Sequence, residues 1–119
     1  MQTRRVEDVY IIDLLGKLIA TTERSFWEVV QQLVVDEGAR KLVVNFEKVP
    51  ECDSYAISEL LRVHRSIDNI KGRMVLVEMN DLIQKVFSLT KVDTVFHIAA
   101  TVDDAIEDLR DSSPQKTSI

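Results

Sequence analysis

The chain has 119 residues, 45% hydrophobic and 29% charged, which suits one folded domain with its own core and is too short for two. Its 15 basic residues against 20 acidic ones give a formal charge of −5 with no basic tract, so nucleic acid and anionic lipid find no electrostatic footprint. A single cysteine, Cys52, excludes an internal disulfide and a thiolate metal cage, and 3 Gly with 2 Pro are too few for a turn-rich β-sandwich.

Met1 to Asp8 is charged and carries no apolar signal region. Val6 to Leu15 is rich in β-branched and apolar residues and predicts a strand. Gly16-Lys17 predicts a bend, after which Leu18-Ile19-Ala20 returns as a short second strand. Thr21 and Thr22 are good helix N-caps. Behind them Phe26, Val29, Val30, Leu33 and Val34 recur at helical spacing as far as Glu37, and Gly38 suits the stop. Lys41 to Phe46 is a short apolar run of the buried-strand kind, followed by a connection through Pro50. Asp53 or Ser54 caps a helix with apolar positions Ile57, Leu60, Leu61, Val63, Ile67 and Ile70, ending at Gly72.

Arg73 to Met79 predicts another interior strand, and Asn80 or Asp81 caps a helix carrying Leu82, Ile83, Val86 and Phe87. Thr94 to Ile98 predicts a last short strand. Thr101 caps a final helix through Ala105, Ile106 and Leu109, with Asp103 and Asp104 in its electropositive first turn. Residues 1–110 form the expected domain and 111–119 a flexible tail. Alternation of this kind implies an α/β domain: a mixed, mostly parallel sheet of about 4–5 strands with about 4 helices and right-handed crossovers. No apolar run reaches ~18 residues, so no membrane span is expected and the cytoplasm is the simplest location.

Candidate chemistry is sparse. There is no GxGxxG or phosphate loop, and Gly16-Lys17 lacks the flanking pattern of either. His64 and His97 lack metal-ligand spacing, so no metal and no cofactor are expected. A thiol enzyme needs a base beside its cysteine, and nothing in the spacing sets either histidine beside Cys52. Cys52 reads as a buried inert thiol and His64 as a packing residue. The carboxylate pairs, Asp103 with Asp104 and Glu51 with Asp53, read as capping or solvated groups. Trp27 lies just off the apolar stripe of its helix; it is either an interface residue or a helix edge tucked against its own sheet.

The most informative stretch is Glu47 to Leu61, where a buried strand ends, a loop turns and Asp53-Ser54 opens a helix. In parallel α/β sheets this end of the strands is where ligands and partners meet the fold. The Ser54 hydroxyl has two uses there: capping the helix, or accepting a phosphoryl group whose −1.5 to −2 charge a helix N-terminus tolerates.

The chain resembles the STAS domains of bacterial anti-sigma-factor antagonists over roughly Val6 to Leu109. The resemblance is carried by Leu15-Gly16-Lys17-Leu18, Leu42-Val43-Val44-Asn45-Phe46, the loop into Asp53-Ser54, Leu76-Val77-Glu78-Met79-Asn80 and Leu89-Thr90-Lys91-Val92-Asp93-Thr94-Val95-Phe96. It implies a STAS-like single domain with helices largely on one face, and no enzyme. It also implies a switch. The unmodified domain binds an anti-sigma factor that is also a serine kinase; the kinase phosphorylates the serine of the Asp-Ser motif, here Ser54, and a phosphatase restores it. The implied partner surface comprises Asp53, Ser54, Tyr55, Ile57, Ser58, Thr21 and Thr22. Where the family commonly continues Asp-Ser-Ser/Ala-Gly-Leu-Gly, this chain has Asp53-Ser54-Tyr55-Ala56-Ile57-Ser58. Ile19 and Asn45 stand where an acidic residue and an aspartate are usual. The alternative function is a non-phosphorylated STAS scaffold in a signalling or lipid-transport assembly. A hydrolase or transferase using Cys52 or His64 is a distant third.

Overall fold

The computed structural model describes residues 1–16 and 26–111. The elements are β1 (Gln2–Val6), β2 (Val9–Leu15), α1 (Phe26–Glu37), β3 (Lys41–Lys48), α2 (Ser54–Asn69), β4 (Arg73–Val77), α3 (Asp81–Leu89), a 3-10 turn (Val92–Thr94), β5 (His97–Ala99) and α4 (Val102–Asp111). The strands form one five-stranded sheet in sequence order, β1-β2-β3-β4-β5. β1 pairs antiparallel with β2, and every other neighbour is parallel.

This order decides where the helices lie. Each parallel crossover steps in the same direction across the sheet, so connections of one hand lay their helices on one face. Phe26 and Val30 of α1, Leu60 and Val63 of α2, and Ile83 and Phe87 of α3 share a core with Ile12, Val44 and Leu76. The intervening strand positions Val9, Ile11, Val43, Val75 and Val77 face the other way and meet Ala105, Ile106 and Leu109 of α4. The central strands are therefore covered on both faces, which is why they read as continuous apolar runs rather than alternating ones.

Several local expectations hold. Gly38 leaves α1 with φ +70°, and Thr101 Oγ1 accepts the Asp104 N–H at 3.1 Å at the start of α4. α2 ends in a tight approach: a Cβ on Gly72 would lie 2.6 Å from the Arg40 carbonyl oxygen, so only glycine lets β4 begin beside β3.

Two strand expectations need correction. The first predicted strand, Val6 to Leu15, is a strand from Val9 on (β2), but Val6 closes a separate strand β1 and Glu7 turns between the two with φ 56°. β1 is a polar edge strand, Gln-Thr-Arg-Arg-Val, held by its partner's backbone rather than by apolar burial. The predicted last strand starts late: Val92–Thr94 makes a 3-10 turn, the Phe96 N–H bonds back to the Val92 carbonyl, and pairing begins only at His97. The expected strand Leu18-Ile19-Ala20 and the caps Thr21 and Thr22 lie outside the described residues.

Candidate functional site

The loop between β3 and α2 is anchored before it reaches the helix. The Val49 N–H donates to the Phe46 carbonyl, and the Asn80 side-chain amide donates to the carbonyls of Val49 (3.4 Å) and Pro50 (3.0 Å). Asn80 also caps α3 by accepting the Ile83 N–H at 2.9 Å. One side chain thus fixes both the start of α3 and the approach to α2. The capping role was legible from sequence; the clamp across 30 residues was not.

Asp53 is the N-cap of α2. Its backbone is extended (φ −101°, ψ −179°) and its Oδ1 accepts the Ala56 N–H at 2.9 Å. Ser54 therefore begins the helix without capping it. The residue is exposed, and no other described residue holds its hydroxyl in a hydrogen bond. Tyr55 is 50% exposed, and Ser58 lies in the open one turn below Ser54. Ile57 departs from the expected surface: it is 6% exposed and belongs to the core under α2. The helical repeat turns that position inward, so it supports the site from below.

Residues 1–105 match the model of the STAS domain. The chain belongs to the STAS domain family. It is 27% identical over 105 residues to a Thermotoga maritima protein provisionally named an anti-sigma factor antagonist, covering 88% of this chain and 93% of the relative. A homologue from Thermotoga neapolitana is 25% identical over the same share of each chain. An anti-sigma factor antagonist from Mycobacterium paratuberculosis superposes with a TM-score of 0.81 at 20% identity, covering 92% of each chain. The phosphorylated Bacillus cell-fate determinant SpoIIAA superposes with a TM-score of 0.70 at 22% identity, covering 92% of this chain and 98% of that one. At such identities the superpositions bear on the fold.

The sequence also singles out Cys52, His64 and His97 of this STAS domain. Cys52 is half-buried rather than sealed, and burial first, then the charge of Asp53, pushes its thiol up to about 11. That keeps it protonated at neutral pH and a poor nucleophile. His64 packs edge-on against Phe96, with ring centroids 5.4 Å apart. His97 is exposed on β5. Among the described residues no His, Cys, Asp and Glu gather as a metal site, and no helix is long and apolar enough to cross a membrane.

Two polar groupings were not legible in the sequence. Asn45, 9% exposed, donates to Asp13 Oδ1 at 2.8 Å and accepts the Glu47 N–H at 3.0 Å. Asp13 is also gripped by Arg4 at 2.8 Å, which holds its carboxyl below the usual range against the opposing effect of burial. The second grouping joins α1 to α2. Glu59 Oε1 accepts the Trp27 N–H at 3.1 Å, meeting one of the free donors at the start of α1. Trp27 is half-buried against the core and its ring is covered by Arg62, so it sits on the helix edge and at the surface at once. A carboxylate one turn into α2 was the only available signal, and nothing in the spacing tied it to Trp27.

Proposed function

We propose that this STAS domain is the antagonist in a partner switch. Unmodified, it binds an anti-sigma factor that is also a serine kinase, on the surface around Asp53, Ser54, Tyr55 and Ser58. The kinase transfers the γ-phosphoryl group of ATP to the Ser54 hydroxyl, whose proton leaves to solvent or a kinase base, and ADP departs. The phosphorylated domain releases, and a phosphatase returns the serine. The domain itself catalyses nothing.

The observation that carries this reading is the division of labour at the start of α2: Asp53 caps, and the exposed Ser54 hydroxyl is spare. A phosphate at this position meets the positive end of the helix, so the fold tolerates it while the surface changes sign. The names of the Thermotoga relatives and the existence of a phosphorylated form of SpoIIAA support it. The test is to incubate the full chain with its cognate kinase and ATP and to map phosphopeptides. Label on Ser54, lost in Ser54→Ala, is expected; equal label on Ser54→Ala refutes the site. A second reading, an unphosphorylated scaffold, is favoured by the bulk of the half-exposed Tyr55 beside the serine. It predicts a partner that tolerates Ser54→Asp.

A further inference from the structure

Arg62 lies on the outer face of α2, one turn beyond Ser58 and two beyond Ser54. Its guanidinium carbon sits 3.8 Å from the centroid of the Trp27 ring, within stacking distance. The Trp27 ring is itself held by packing on the core, and its backbone N–H is tied to Glu59. The guanidinium is thus oriented, yet among the described residues no carboxylate pairs with it and no hydrogen bond occupies its donors. Glu59, the acid nearest in sequence on that helix, is engaged by the backbone of α1. Arg65, the next cation along, is exposed and carries no acidic partner among the described residues either. Two arginines without a carboxylate partner among the described residues thus lie on one helix of a chain of charge −5.

A stacked guanidinium has lost most of its rotamer freedom already and presents its donors as a planar fork that fits a carboxylate through two parallel hydrogen bonds. Tyr, Trp and Arg are also the side chains that dominate binding energy at interfaces, and Tyr55, Trp27 and Arg62 border this face.

We infer that Arg62, laid flat on Trp27, is the anchor for an acidic patch of the partner protein, which docks along the outer face of α2 and sets a carboxylate against this fork. The inference rests on the reading of the Ser54 surface as the kinase-binding site and extends that surface about 12 Å down the helix, eight residues at 1.5 Å each. The occupant is the kinase; the complementary charge is negative.

The test is calorimetric titration of the full chain with the cognate anti-sigma kinase at low and high salt, using wild type, Arg62→Ala, Arg62→Lys and Trp27→Phe. Arg62→Ala is expected to weaken binding about tenfold or more. Arg62→Lys, which keeps the charge without the fork, should recover less than half of that loss on a logarithmic scale, and wild-type affinity should fall more steeply with salt than that of Arg62→Ala. Thermal melts show whether each variant is folded; if Arg62→Ala is loosened, Arg62→Lys decides. Full affinity in the folded Arg62 variants, with Ser54→Asp still abolishing binding, overturns the inference and leaves the kinase reading standing. A wild type that fails to bind overturns both. A dimer of the chain that dissociates in Arg62→Ala places a second copy on this face and overturns the inference as well.

Discussion

The capping assignment separates two residues that are neighbours in sequence and makes opposite predictions for them. Asp53→Ala removes the acceptor of the Ala56 N–H, a 2.9 Å bond, and a negative charge from the positive end of α2. Loss of such a cap costs about 1 kcal/mol, within a range of about 0.5–2. An unfolding entropy near 2.1 cal/mol/K per residue gives roughly 0.25 kcal/mol/K for a chain of 119 residues. The melting temperature of Asp53→Ala should then fall by about 4 °C. Ser54→Ala removes a hydroxyl with no partner among the described residues and adds a better helix former, so its melting temperature should hold or rise slightly. Ser54→Asp places a charge where the helix dipole favours one, worth about 0.3–1 kcal/mol of stabilisation at low salt. Thermal and urea unfolding followed by circular dichroism at 222 nm measure all three. A Ser54→Ala variant that loses about 1 kcal/mol while Asp53→Ala loses nothing would show that the hydroxyl is the cap. The serine would then be occupied, and the argument for a spare phosphoacceptor would fall.

Asn45→Leu should destabilise the domain by about 1–3 kcal/mol, because it strips a partner from Asp13 and from the Glu47 N–H, both through part-buried bonds of the nearly buried Asn45 side chain; a urea midpoint equal to wild type would refute this. Asn45→Asp sets a second carboxylate 2.8 Å from Asp13 Oδ1, so the loss at neutral pH should shrink as acid protonates one of the pair. For Asp13 itself the folded carboxyl titrates below its unfolded value of about 3.9, with the Arg4 bond as the main cause. Its contribution is therefore present above that pH and lost as pH falls through the folded value. Asp13→Asn should be less stable at pH 7 and show a shallower acid decline; parallel pH–stability curves would contradict the assignment. Cys52, held protonated until about pH 11, should alkylate with iodoacetamide at pH 8 at least about tenfold more slowly than a free thiol, and an equal rate would remove the case for an inert group.

What could be read from the sequence was whatever repeats locally. The apolar spacing of α2 and α3, the runs of β3 and β4, the cap at Thr101 and the narrowing of two other caps to a pair of neighbours (Asp53 or Ser54, Asn80 or Asp81) all depend on residues within a turn or two of one another. β1 escaped because an antiparallel edge strand needs no apolar face: Arg4 and Arg5 point along Asp13 and Tyr10 instead of into a core. β5 began late because Val95 and Phe96 look like strand residues, whereas Lys91 at φ 61° starts a tight turn that consumes them. The choice between Asp53 and Ser54 as cap also stayed open, since both residue types cap helices equally well and only the backbone geometry separates them. The contacts that shape the candidate surface, Asn80 to Pro50 and Glu59 to Trp27, span 30 and 32 residues and leave no periodic trace.

The same helix can carry a stable core and a reversible charge because its two faces have different work. Ala56, Ile57, Leu60, Val63 and Ile67 lock α2 against the sheet, and none of them approaches solvent. A phosphate on Ser54 touches none of these, and in the free domain it lies in water, where two like charges 4 Å apart cost about 1 kcal/mol. Against a docked partner the effective dielectric drops toward 20, and the same pair costs about 4 kcal/mol. A micromolar complex holds about 8 kcal/mol, so a single unfavourable contact of that size weakens it roughly a thousandfold. Arg62 stands about 12 Å away, beyond the ~8 Å screening length at physiological salt. The phosphate therefore acts on the partner groups directly above Ser54. On the proposed reading, the Arg62 anchor would set how tightly the unmodified domain is held, and the serine would decide whether it is held at all.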